Sequence, residues 1–234
     1  MIVLEKVAKT FLTKAGEPVP AVKDVSLVVK KGEFVILTGR SGSGKTTLLN
    51  LAAGLTRPTE GEVRLGDVNL WMLSDREQSQ LRNRKIGFIF QFPSLLPSLT
   101  VLENVLLPMT FGRNRGSETS ADRAAALLKT VGLEDKLGAY LRQLSAGQQQ
   151  RVVIARSLVN RPEILLADEP TSNLDEQTER EIMDMLRAIH DAGGVTILLV
   201  THTSQLVPYG TRALEMSAGR ILTTPRDATG SVGR

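Results

Sequence analysis

Runs of apolar residues and strict alternation divide the chain into two textures. Ile2-Val3-Leu4-Glu5-Lys6-Val7 and Val25-Ser26-Leu27-Val28-Val29 predict strands, joined by the Gly/Pro-bearing stretch from Lys14 to Pro20. After the turn Lys31-Gly32-Glu33, the unbroken apolar run Phe34-Val35-Ile36-Leu37-Thr38 predicts a strand covered on both faces, as in a parallel sheet. Thr47 to Ala53 predicts a helix closed by Gly54. Beyond it, Glu62-Val63-Arg64-Leu65 predicts a short strand, Ser74 to Arg84 a polar helix, and Ile86-Gly87-Phe88-Ile89-Phe90 a further strand. From Thr100 the period changes: Val101 to Leu107 and Thr119 to Val131 carry apolar residues at helical spacing, and Gly132 marks a stop. Strand character returns at Ile164-Leu165-Leu166-Ala167, Val195 to Val200 and Arg220-Ile221-Leu222. The pattern is that of a sheet domain interrupted by a helical insert, without internal repeats.

Chemistry enters between the buried strand and the first helix. Gly39-Arg40-Ser41-Gly42-Ser43-Gly44-Lys45-Thr46 matches the whole phosphate-loop pattern G-x-x-x-x-G-K-[ST] in its required strand, loop, helix setting. Glycines without Cβ let backbone N–H groups converge on phosphate oxygens, and the helix N-terminus adds partial positive charge. Lys45 is placed to reach the β- and γ-phosphates and Thr46 to offer its hydroxyl to Mg²⁺. With Thr47, these residues are the candidate nucleotide contacts. A merely flexible Gly/Ser turn needs no Lys-Thr pair directly after its last glycine. A second element, Ile164-Leu165-Leu166-Ala167-Asp168-Glu169, brings two carboxylates to the C-terminal end of an apolar strand, where open α/β sheets bind ligands. Asp168 suits a role on Mg²⁺, and Glu169 suits a general base polarising the water that attacks a γ-phosphate. An isolated Asp-Glu pair more often simply ends a strand in solvent; the phosphate loop shifts that reading towards function.

Composition narrows the picture little further. The chain of 234 residues contains no cysteine, which excludes a disulfide framework and a thiolate metal site. No apolar run approaches the about 20 residues that span a bilayer, and Glu5 and Lys6 within the N-terminal alternation are unlike a signal peptide, so the expectation is a chain that does not itself enter a membrane. The net charge is +4 with the basic residues scattered, which points to solvated faces, and no nucleic-acid partner is expected.

A third element points to a family. Leu144-Ser145-Ala146-Gly147-Gln148-Gln149-Gln150-Arg151 closely resembles the signature sequence of ABC ATPases. Gln91, the segment Ser172-Asn173-Leu174-Asp175 and His202 match the family's Q-loop, D-loop and switch histidine in identity and order. Taken singly, Ser145 reads as a helix cap, Gln91 as a surface amide and His202 as a strand-end histidine; six motifs in order, over nearly the whole chain, read together.

The resemblance implies an α/β fold: a phosphate-loop NTPase core with a mainly parallel sheet, an antiparallel N-terminal β-subdomain and a helical insert. It implies one ABC ATPase domain over residues 1–225, an insert at about 92–160 and a disordered tail at 226–234. It further implies hydrolysis of ATP with Mg²⁺, with Lys45, Glu169 and His202 catalytic and Thr46, Gln91 and Asp168 on the metal. Ser145, Ala146, Gly147 and Gln148 would touch the nucleotide of a second copy in an ATP-dependent head-to-tail homodimer, with Ser172 and Asp175 in the D-loop and Phe11 as the adenine platform. Phe11 as ordinary core is the alternative. Ala146 departs from the usual Ser-Gly-Gly core and puts a methyl near a phosphate contact, with slowed turnover as one consequence; Ser172 stands where Gly is frequent, and Thr203 follows His202 where Asp is common.

Pro97 to Val105, Gln148-Gln149-Gln150-Arg151 and Leu166 to Thr171 resemble the ATPase subunits of lipoprotein-releasing and macrolide-exporter transporters. That implies an integral membrane permease as partner and a peripheral place at the cytoplasmic face of the inner membrane. The stretch Phe92-Pro93-Ser94-Leu95-Leu96-Pro97, apolar and proline-broken, is the expected docking segment, the alternative being that Leu95 and Leu96 pack the insert onto the sheet. Two rivals stand beside this reading. One is a non-transport ABC ATPase acting on nucleic acid or ribosomes, which usually carries a long coiled coil or tandem domains; the other is a regulatory ATP-binding module that does not hydrolyse, against which Glu169 argues.

Overall fold

The chain opens as an antiparallel hairpin of β1 (Ile2–Leu12) and β2 (Pro18–Val29), then runs through β3 (Phe34–Thr38), the phosphate loop and α1 (Lys45–Ala52), and returns as β4 (Glu60–Leu65) and β5 (Val68–Asn69). The computed structural model describes residues 1–111 and 119–227; the part of the expected tail from 228 onward lies outside the described residues. β1, β2, β4 and β5 form a four-stranded antiparallel sheet in the order β2-β1-β4-β5. Both hairpin strands are longer than the alternation predicts. Pro18 and Pro20 sit within β2 because β2 is an edge strand, where a missing N–H costs no ladder bond. Phe11 therefore lies on a strand, opposite Val19.

The remaining elements are α2 (Asp75–Lys85), β6 (Ile86–Ile89), α3 (Val101–Thr110), α4 (Ser120–Thr130), α5 (Ala146–Leu158), β7 (Ile164–Asp168), α6 (Glu176–Gly193), β8 (Thr196–Thr201), β9 (Arg212–Ser217) and β10 (Arg220–Asp227). Local chemistry sets the helix starts. Ser74 with Glu77, Thr100 with Glu103 and Ser145 with Gln148 each form a reciprocal capping box, while Thr119 and Asp175 cap α4 and α6 through their side chains.

The second sheet has six strands in the order β10-β9-β3-β8-β7-β6, parallel throughout except for the antiparallel β9–β10 pair. Phe34, Ile36, Leu165, Ala167, Ile197 and Leu199 face a core shared with α3, α4, α5 and α6. Val35, Leu37, Ile164, Leu166, Leu198 and Val200 face a second core shared with α1 and the antiparallel sheet. Burial on both faces is why these strands read as unbroken apolar runs. β6 ends one residue before the predicted Phe90, and β10 extends beyond the predicted Leu222 to Asp227. Among the described residues no helix is long and apolar enough to cross a membrane.

Candidate active site

Strand order builds the site. β3, β8 and β7 are parallel neighbours, with Thr38 opposite Thr201 and Asp168 opposite Val200, so Gly39, His202 and Glu169 leave the sheet side by side. β6 lies next outward, with Ile89 opposite Ala167, and leads into Gln91.

The loop between β3 and α1 needs its glycines for two reasons. Gly44 has φ 103°, and a Cβ there would stand 2.3 Å from the carbonyl oxygen of Ala21; at Gly39 it would stand 2.3 Å from that of Met216. The buried Lys45 donates from Nζ to the carbonyls of Gly39 at 2.8 Å and Arg40 at 3.1 Å, and lies 3.8 Å from Glu169 Oε1. Thr46 Oγ1 donates to Asp168 Oδ1 at 3.0 Å. Burial pushes the Asp168 carboxyl above the ordinary range; the Thr46 hydrogen bond opposes this, the neighbouring Glu169 charge adds to it, and Lys45 opposes it.

Glu169 is one of the few non-glycine residues in the left-handed region, with φ 43°, at a cost of about 1–2 kcal/mol. Its N–H donates to Val200 O at 2.9 Å and its carbonyl accepts from Ser172 N–H at 3.2 Å, which hold that conformation. Its carboxylate meets His202 Nδ1 at 2.9 Å. Side-chain contacts thus join Lys45, Glu169 and His202 in one group and Thr46 with Asp168 in another, and the two groups adjoin along the chain at Lys45-Thr46 and Asp168-Glu169.

The residues present fit a nucleotide phosphate with a hard cation. Ser43 Oγ is buried in the loop without a hydrogen-bond partner among the described residues, a polar atom awaiting an acceptor or donor. The first amides of α1 lack intrahelical partners, and Thr46 with Asp168 supplies the oxygen donors that Mg²⁺ prefers. Arg40 and Ser41 are exposed on the loop, and Thr47 is half-buried on α1.

Of the other anticipated residues only Ser172, through its backbone N–H to Glu169 O, has a hydrogen bond or ion pair with this cluster among the described residues. Gln91 is exposed, and its side chain has no hydrogen-bond partner among the described residues. Phe11 is 45% exposed with Lys9 Nζ 5.2 Å from its ring centroid, so it is a surface ring and not core. At the start of α5, Ser145 Oγ accepts from Gln148 N–H at 3.2 Å and Gln148 Oε1 accepts from Ser145 N–H at 3.0 Å. Ser145 and Ala146 are exposed there, whereas Gly147 is buried, and a Cβ on it would stand 2.5 Å from Thr178 Cγ2. Ser172 is exposed. Asp175 caps α6 by accepting from Thr178 N–H at 2.9 Å and Thr178 Oγ1 at 2.7 Å, which holds its carboxyl below the usual range.

The segment after Gln91 divides. Phe92 and Leu96 are exposed, but Leu95 packs against the core of the insert, so the packing alternative holds for Leu95 and fails for Leu96. Sequence reasoning missed what fastens this segment. Asn104, fully buried in α3, accepts from Leu96 N–H at 2.8 Å and donates to the carbonyls of Leu96, Leu99 and Thr100 at 3.1, 3.2 and 2.9 Å. A lone asparagine in an apolar helical run was the available signal.

A family model described as ABC transporter matches residues 22–172. The chain is 46% identical over 200 residues to the lipoprotein-releasing system ATP-binding protein LolD of Aquifex aeolicus, covering 86% of this chain and 88% of that one. It is 43% identical over 223 residues to the macrolide export ATP-binding/permease protein MacB of Syntrophobacter fumaroxidans, covering 94% of this chain but 31% of that longer protein. The dimeric structure of MJ0796, an ABC transporter cassette of Methanocaldococcus jannaschii, superposes with a TM-score of 0.89 at 41% identity over 99% of this chain and 100% of that one. The same cassette has also been solved as a dimer in a post-hydrolysis state with ADP and Pi. The chain belongs to the ABC transporter family.

Proposed function

We propose that this member of the ABC transporter family is the ATP-hydrolysing subunit of a transporter, working as a head-to-tail homodimer that drives a separate membrane permease. The observation that carries the reading is the gathering of Lys45, Thr46, Asp168, Glu169 and His202, in two adjoining groups of contacts, at the carboxyl edge of three adjacent strands. Lys45 and the loop amides hold the β- and γ-phosphates. Glu169 takes the proton of the water that attacks the γ-phosphorus in line, the bond to the β–γ bridging oxygen breaks, and ADP leaves. His202, already bonded to Glu169, orients that carboxylate and contacts the γ-phosphate. Thr46, Asp168 and Gln91 would hold Mg²⁺, which when bound neutralises charge on the β/γ oxygens.

The signature end of α5 points to the second copy. Ser145 and Ala146 are exposed at a capped helix start, a place suited to phosphate, yet among the described residues no hydrogen bond joins their side chains to their own chain's phosphate loop. Phe11, exposed on the hairpin, would stack on adenine. Phe92, Leu96 and Phe90 form exposed apolar surface near Gln91, suited to a short permease helix, and this contact would hold the protein at the membrane's cytoplasmic face. Likeness to LolD and MacB favours the lipoprotein-releasing and macrolide-exporter subgroup.

Phosphate release by the purified chain with Mg²⁺ and ATP, saturating in ATP, tests the activity; no release at any protein concentration would favour the regulatory-module rival. Phe92→Asp with Leu96→Asp should leave the chain folded and ATP-competent while abolishing co-purification with the permease. Undiminished co-purification would remove the segment from the docking surface.

A further inference from the structure

The segment after Gln91 is held by a cation as well as by Asn104. Arg156, near the C-terminal end of α5, donates from Nη1 to Ser94 O at 2.8 Å and from Nη2 to Pro93 O at 2.9 Å. Ser94 has φ 47°, and its Oγ donates to Phe92 O at 3.1 Å, so consecutive carbonyls are turned to one side. Arg156 has no carboxylate within ion-pair distance among the described residues; two carbonyl dipoles are its recorded partners. Burial without a counter-charge pulls its guanidinium below the usual value. A half-buried cation committed to two backbone oxygens and to no carboxylate among the described residues fastens backbone to helix, which argues for a task beyond filling space.

Position supplies the task. Arg156 lies on the same helix as Ser145, roughly 16 Å along its axis. Pro93 and Ser94 come two and three residues after Gln91, and from Leu96 onward the segment is fastened to α3 by Asn104. Residues 93–100 are thus bonded at both ends to the helical insert. Gln91 stands between that fastened strap and the end of β6, and its own side chain is unpartnered among the described residues. A planar fork suits this contact better than an ammonium, because it donates two diverging bonds in fixed geometry.

Resting on the reading of Gln91 as a metal-side residue, we propose that Arg156 is a positioning residue for ATP hydrolysis, which ties the Gln91 segment to α5 so that Gln91 and the signature end move as one body. The test is the metal requirement of the full chain, read both as the Mg²⁺ concentration for half-maximal ATP hydrolysis and, apart from turnover, as the dissociation constant of Mn²⁺ followed by paramagnetic resonance with a non-hydrolysable ATP analogue bound. Gln91→Ala raises it, and Arg156→Gln raises it by about tenfold, the size usual for groups that orient a metal's direct ligands. Arg156→Lys, able to hold one carbonyl at a time, gives a smaller rise. In the Gln91→Ala background Arg156→Gln adds no further rise, an outcome that general loosening of the insert would not give.

An unchanged requirement in Gln91→Ala would overturn the reading of Gln91 and the proposal with it. A rise in Gln91→Ala with none in Arg156→Gln, or additive rises in the double variant, would overturn the role of Arg156 alone. If Arg156→Gln does not fold, Arg156→Lys is measured in both backgrounds, and a native requirement there counts against the proposal.

Discussion

Gly147 separates what the signature glycine does for its own chain from what it does for a partner. A Cβ at Gly147 would stand 2.5 Å from Thr178 Cγ2, too close for any relaxed structure, so Gly147→Ala forces Thr178 to turn. Thr178 is not free to do so, because its hydroxyl donates to Asp175 Oδ2 at 2.7 Å and its N–H to Oδ1 at 2.9 Å. Overpacking costs about 1–3 kcal/mol, the lost hydroxyl bond about 1 kcal/mol, and the better helix propensity of alanine returns about 1 kcal/mol. The net expectation is destabilisation of about 1–3 kcal/mol, read as a lower urea midpoint with an unchanged slope. Thr178→Ser removes Cγ2 and keeps the hydroxyl, so in that background Gly147→Ala becomes nearly neutral. Ala146→Gly, at an exposed position, costs no more than about 1 kcal/mol in either background. Equal destabilisation by Gly147→Ala with and without Thr178→Ser would refute the steric argument.

Two further outcomes follow from the site. Lys45→Ala lowers turnover at least about a hundredfold, the scale for losing one preorganised phosphate donor, while Arg40→Ala retains it; the reverse ranking in a phosphate-release assay would mean that the loop is misassigned. Asp168→Asn stabilises the nucleotide-free protein at neutral pH. The folded-state pKa of Asp168 is raised, so the folded protein binds more protons in the window from the unfolded value of 3.8 up to the folded one, and stability contributed by this group falls as pH rises through it. The gain in melting temperature should therefore vanish below pH 3.8, and a gain independent of pH would show that ionisation is not its cause.

Contiguous chemistry was legible in the sequence because each motif carries its own local geometry. The phosphate loop, the paired carboxylates at the end of β7 and the capped start of α5 all lie where the residues implied. Contacts that depend on strand order were not legible. His202 and Glu169 meet only because β8 runs between β3 and β7, a fact that no spacing along the chain contains. Helix α6 was not legible although Asp175 and the buried Ile182, Met183 and Leu186 supply a cap and an apolar face, because the four charges of Glu176, Glu179, Arg180 and Glu181 separate the cap from the first buried apolar residue. β9 was missed because six residues with charges at Arg212 and Glu215 carry too little apolar signal; the strand is fixed by its parallel pairing with β3. Leu95 and Leu96 are identical in sequence terms, and only packing against the insert separates a core residue from a surface one.

The central claim is that Glu169 is the base of an ATPase whose ATP-bound form pairs with a second copy. Glu169→Gln keeps the shape of the side chain and loses proton-accepting power, so turnover should fall by about a hundredfold or more while ATP still binds. Light scattering on the purified variant after size exclusion in ATP and Mg²⁺ should then show a stable dimer that returns to monomer when ATP is replaced by ADP. Near-native phosphate release from this variant, or a monomer in saturating ATP, would contradict the account.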